Sequence, residues 1–67
     1  MSYEVIQATQ VVLKEIDGKV KQLEEAIGRK AAKSFDEYCE MCGEIKGLLT
    51  ARNFLTDLTK LMEKLDE

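Results

Sequence analysis

The chain has 67 residues, a formal net charge of −3, two Cys and no His, Pro or Trp. A domain of this length buries only about 60% of the surface that its unfolded chain exposes, so we expect its stability to depend on an oligomer or a partner. The slight negative charge excludes a strongly basic nucleic-acid-binding domain, and the longest apolar run, Val11–Leu13, excludes a membrane span of roughly 18 residues.

The first residues and the cysteines predict a cytoplasmic protein. Residues 1–6 lack the basic segment and following apolar segment of a secretory signal. Cys39 and Cys42 are too close in the sequence to staple distant parts of the chain, so we expect two free thiols in a reducing compartment.

The first half of the chain carries a seven-residue apolar repeat that predicts a helix over about residues 3–28, with Ser2 as its N-cap. Its two rows are Ile6, Leu13, Val20 and Ile27, and Thr9, Ile16 and Leu23. The repeat keeps its phase across Gly18, which argues for one continuous helix. The sequence leaves two ends open for this helix. Either Gly28 is the residue after the cap and a turn over about 29–33 follows, or the helix continues through Ala31 and Ala32.

The second half begins with the clearest boundary in the chain. Ser34 and Glu37 have the spacing of a capping box, in which the serine hydroxyl accepts from the Glu37 amide and the Glu37 side chain reaches back. A helix over about 35–65 follows. Its heptad rows are Met41, Leu48, Leu55 and Met62, and Ala51, Leu58 and Leu65.

Two long helices with a short connection predict an all-α, antiparallel helical hairpin that forms a single domain over 1–67. The second helix has more apolar surface than one neighbouring helix covers, so we expect two hairpins to pair into a four-helix bundle dimer. Docking on a larger protein is the alternative. The residues predicted to bind the second copy or the partner are Tyr38, Ile45, Leu49, Phe54 and Leu61, around Gly43 and Gly47.

Gly43 and Gly47 are four residues apart and lie on one face of the second helix, where each glycine costs about 1 kcal/mol relative to Ala. Two interpretations stay open. The pair forms a groove for the close approach of another helix, or its spacing is incidental.

The polar residues do not form a recognisable catalytic or cofactor site, so we predict no enzyme activity and no cofactor. Cys39 and Cys42 lie inside a helix beside several Glu, which is unfavourable for a redox pair. No metal site is predicted from one chain, because zinc needs four ligands; a site shared by two chains is a minor alternative. Glu44, in a row between Met41 and Leu48, is a candidate buried polar residue that would pair with Arg52 of another chain.

Arg29, Lys30 and Lys33 cluster where the two helices meet. The simplest interpretation is a solvated turn with cations near the end of a helix. The alternative is a nucleic-acid-associated regulator that uses this basic tip, although binding to nucleic acid is not the favoured prediction.

Residues 35–58 combine Phe35, Tyr38, Gly43, Ile45 and Gly47 with a following Leu48, Ala51, Leu55 and Leu58. This pattern resembles small, uncharacterised helical proteins of tailed bacteriophages. The resemblance implies a phage accessory or virion-associated protein, placed in the host cytoplasm or the virion, and brings no catalytic residues with it. Together with the apolar surplus, it predicts a non-enzymatic structural or protein-interaction module that self-associates.

Overall fold

The computed structural model describes residues 3–65, which form two α-helices. Helix α1 spans Tyr3–Gly28 and helix α2 spans Phe35–Leu65. They fold back on each other as an antiparallel rod with extents of 50 × 15 × 12 Å, whose length is close to the roughly 46 Å expected for the longer helix. The all-α helical hairpin predicted from the sequence is confirmed. No helix in the described part of the chain is long and apolar enough to cross a membrane.

A thin core runs between the two helices. Val20 and Leu23 of α1 are buried, and Met62 of α2 is only 1% exposed. Thr9 is also buried, and its hydroxyl donates to the Val5 carbonyl at 2.9 Å, so this polar group enters the core with its hydrogen bond made. One layer of contact between two helices buries few residues completely, which leaves the hairpin marginal by itself.

The side of α2 that packs on α1, called the seam here, differs from the predicted rows. The row from Met41 to Met62 does face α1. The second row was expected at Ala51, Leu58 and Leu65, but Leu58 and Leu65 are exposed. The seam instead contains three half-buried residues, Ile45, Arg52 and Thr59. Helix α2 is therefore rotated about its axis relative to the prediction, and the two leucines join a different surface.

Helix α1 ends in a Schellman motif around Lys30. The Ala31 amide donates to the Ala26 carbonyl at 2.9 Å, and the Lys30 amide donates to the Ile27 carbonyl at 3.0 Å. Lys30 holds the left-handed conformation with φ of 59°. Of the two ends left open by the sequence, the helix stops at Gly28. However, Gly28 has no positive φ and Lys30, two residues later, is the residue after the cap.

Helix α2 begins with the predicted capping contacts, with one partner changed. The Glu37 amide donates to the Ser34 hydroxyl at 3.1 Å, as expected. The Glu37 carboxylate accepts from the Lys33 amide at 3.1 Å, one residue before the usual partner. The carboxylate also lies at the positive end of the helix dipole, which adds to its stabilising effect.

Helix α1 continues through Gly18 without a break, as the phase of the heptad predicts. Glu4 lies in the first turn of the helix, where the dipole favours a carboxylate. The predicted N-cap, Ser2, lies outside the described residues.

Candidate interaction surface

Helix α2 carries two separate apolar surfaces on either side of the seam. We call the first the leucine flank; it consists of Gly43, Gly47, Ala51, Phe54, Leu58, Leu61 and Leu65. We call the second the tyrosine flank; it consists of Phe35, Tyr38, Cys42 and Leu49. At about 100° per residue their centres are about 150° apart, so no single partner helix contacts both.

The leucine flank has the regular spacing of a helix-packing stripe. Its members recur every three or four residues, which keeps them in line along one side of the helix. The large members remain in solvent in the single chain: Phe54 is 70% exposed, Leu65 67%, Leu61 53% and Leu58 44%. Four neighbouring large apolar side chains in water mark an interaction site rather than scattered surface hydrophobes.

The glycines of the leucine flank do not serve the packing of the hairpin. A β-carbon placed on Gly43 or Gly47 would meet no atom within 4 Å. Helix α1 therefore makes no close contact at these glycines that would offset their low helix propensity. Within one hairpin the space above both glycines is open, as it is above Gly18 and Gly28.

Helix α1 adds to the same side of the hairpin. In two antiparallel right-handed helices, flanks rotated in the same sense from the shared seam lie on one side of the pair. Val5 and Val12 are exposed residues on this flank of α1. Because the start of α1 lies beside the end of α2, these valines extend the part of the leucine flank that carries Leu58, Leu61 and Leu65.

The tyrosine flank is smaller and lies near the hairpin tip. The rings of Phe35 and Tyr38 stack with centroids 6.4 Å apart and an interplanar angle of 29°. The side-chain hydrogen bond between Tyr38 and Cys42 raises the pKa of the tyrosine above its ordinary value. Electrostatic repulsion from the two cysteine side chains and desolvation of the phenol raise this pKa further, by smaller amounts. The local contacts of these aromatic residues are thus made within one helix.

A salt bridge lies on the side of the seam opposite to the leucine flank. The Arg52 Nε donates to Asp17 Oδ1 at 2.6 Å, and this contact raises the pKa of Arg52. Asp17 comes from α1, so the bridge joins the two helices. Glu44 is exposed in the single chain. Its burial beside Arg52 of another chain stays a prediction.

The predicted binding residues are therefore divided among three places. Phe54, Leu61, Gly43 and Gly47 lie together on the leucine flank, whereas Tyr38 and Leu49 lie on the tyrosine flank and Ile45 is half-buried at the seam. Sequence reasoning missed Leu58 and Leu65, which it assigned to the seam. Their spacing from Phe54 and Leu61 carried the signal, since these four residues form one helical stripe.

The remaining polar groups do not converge on a site. Cys39 and Cys42 are free thiols, and no group of three or more metal-binding side chains occurs within residues 3–65. The basic residues Arg29, Lys30 and Lys33 are all exposed at the hairpin tip. A shallow depression of about 410 Å³ lies on the outer side of α1. Its lining residues are Lys14, Glu15, Gly18, Lys19 and Gln22.

In comparisons with known proteins, no protein-family model, curated protein or solved structure matches the chain. The class of the protein is therefore the one that its fold defines, a two-helix hairpin with an exposed apolar stripe.

Proposed function

We propose that this protein is a non-enzymatic structural or protein-interaction module that self-associates through the leucine flank of α2. The observation that carries the proposal is the line of exposed Phe54, Leu58, Leu61 and Leu65 beside an open glycine groove. A hairpin with so thin a core gains the stability it lacks when this surface is covered. The resemblance of residues 35–58 to small phage proteins supports an accessory or virion-associated role for such a module.

Self-association accounts for the surplus apolar surface better than binding at the hairpin tip does. The stripe is long, regular and flanked by polar residues, as in helices that pack in bundles. The basic tip offers Arg29, Lys30 and Lys33 in a chain whose net charge is −3, which is a small electrostatic footprint for nucleic acid.

Size-exclusion chromatography with light scattering across a dilution series tests the proposal. We expect the purified full chain to be an oligomer at micromolar concentration and to dissociate on dilution. Leu61→Glu places a charge in the middle of the leucine flank and should give a monomer. The matched control, Leu49→Glu, places the same charge on the tyrosine flank and should leave the oligomer intact.

Circular dichroism of each variant shows whether the hairpin is still folded. Both replaced leucines are exposed in the single chain, so we expect similar helix content in the separate hairpins. A wild-type chain that is fully helical and monomeric at every concentration would refute self-association. Equal dissociation by Leu61→Glu and Leu49→Glu would refute the assignment to the leucine flank.

A further inference from the structure

The leucine flank has an order of side-chain sizes that constrains how two copies meet. Its first half, residues 43–51, consists of Gly43, Gly47 and Ala51. Its second half, residues 54–65, consists of Phe54, Leu58, Leu61 and Leu65. A surface that is small at one end and large at the other fits a copy of itself only when the two run in opposite directions.

We propose that two copies pair with their α2 helices antiparallel. The two-fold axis lies between the two helices, at the level of the Arg52–Asn53 peptide bond. This inference rests on the proposed self-association and states its geometry. The axis places Gly47 opposite Leu58 of the second copy, and Ala51 opposite Phe54 of the second copy. Gly43 lies within about 1.5 Å, along the helix axis, of the level of Leu61 of the second copy. Phe54, Leu58 and Leu61 then enter spaces that small residues leave open, and Leu65 lies at the level of Glu40 of the second copy.

The order of side-chain sizes, together with the open space above Gly43 and Gly47, supports this arrangement. No atom of the hairpin occupies the space above Gly43 or Gly47, while the large half of the stripe has no cover. Antiparallel pairing fills the space above the glycines and covers the large side chains with the same contacts. The two-fold symmetry makes each of these contacts twice. A parallel pair would set glycine against glycine and Phe54 against Phe54, which leaves a hole at one end and crowding at the other.

Charge complementarity favours the same direction. Lys46 and Asp57 lie on the outer edge of the leucine flank. In the antiparallel pair, Lys46 lies within about 3 Å, along the helix axis, of the level of Asp57 of the second copy. The symmetry creates this opposite-charge pair twice. In a parallel pair, the two-fold axis would place the outer edges of the two copies on opposite sides of the pair, so Lys46 and Asp57 would not meet.

Disulfide trapping tests the direction and the register in a chain whose native thiols are removed by Cys39→Ser and Cys42→Ser. In this background Ala51→Cys lies beside the axis, with an offset of about 4.5 Å between the two copies along the helix. Oxidised glutathione should therefore link most of the chains as dimers. Leu65→Cys should not link to itself, because the two copies of residue 65 lie about 37 Å apart. It should link to Glu40→Cys when the two variants are mixed.

The outcomes separate the geometry from the proposed function. Linking of Leu65→Cys to itself as readily as Ala51→Cys would overturn the antiparallel direction. A dimer by light scattering in which Ala51→Cys does not link would overturn the position of the axis. A monomer by light scattering in the cysteine-free chain and in the wild type would refute self-association itself.

A size substitution tests the groove independently. Gly47→Leu fills the space that Leu58 of the second copy needs, and we expect the dissociation constant to rise about tenfold or more. Gly18→Leu is the matched control, since Gly18 is also an exposed glycine inside a helix with open space around it. Both changes raise helix propensity, but only the first should weaken the dimer. Equal effects on dissociation would overturn the groove.

Discussion

Replacing Lys30 by glycine tests the Schellman motif that ends α1. Lys30 holds φ of 59°, a conformation that costs a residue with a β-carbon about 1–2 kcal/mol. Glycine removes this cost but gains about 0.4–1 kcal/mol of conformational entropy in the unfolded chain. We therefore expect Lys30→Gly to raise the free energy of unfolding by about 0.5–1 kcal/mol. For a domain of this size the melting temperature should rise by about 3–6 °C.

Thermal unfolding followed by circular dichroism at a fixed protein concentration measures the effect, since self-association makes the melting temperature concentration-dependent. Lys30→Ala is the control: it removes the same charge but keeps the β-carbon, and should give no comparable gain. Gly28→Ala should stabilise the helix, because Gly28 lacks a positive φ and has open space around it. A Lys30→Gly chain no more stable than Lys30→Ala would refute the reasoning.

Three further predictions concern the core, the start of α2 and the tyrosine flank. Met62→Ala empties the most buried position and should cost about 2–5 kcal/mol, a large part of the stability of so small a chain, as measured by urea unfolding. Ser34→Ala removes the acceptor of the Glu37 amide and should cost about 1 kcal/mol in the same assay; no loss would show that water caps the helix equally well. Cys42→Ala should lower the raised pKa of Tyr38 toward its ordinary value of 10.0, as followed by NMR of the ring. Because the pKa of Tyr38 is raised in the folded chain, its hydrogen bond stabilises the fold below pH 10 and is lost as the pH rises through the raised pKa; an unchanged pKa in Cys42→Ala would contradict this cause.

The hairpin could be predicted because its signals are local or periodic. The heptad of α1 keeps one phase across Gly18, and the capping box of Ser34 and Glu37 marks where α2 begins. A short connection between two long helices leaves only the antiparallel arrangement. Each of these features depends on residues close in the sequence, so no knowledge of the tertiary contacts is needed to recognise them.

The surplus of apolar residues on α2 could also be counted from the sequence, but its division could not. The seven predicted binding residues were treated as one surface. The structure separates Tyr38 and Leu49 from Phe54 and Leu61, on opposite sides of the seam. The sequence lists which residues are apolar around a helix; it does not say which of several adjacent apolar stripes packs on the neighbouring helix.

The sequence by itself therefore determined that this protein is a hairpin of two helices with more apolar surface than it buries. Only the tertiary structure decided how α2 is rotated about its axis. The row that packs on α1 is Ile45, Arg52 and Thr59, which is less apolar than the predicted row of Ala51, Leu58 and Leu65. Apolar content alone therefore does not select the seam; the choice depends on the fit of side chains between the helices, where Arg52 also pairs with Asp17. That rotation leaves Leu58 and Leu65 in solvent, and so creates the leucine flank.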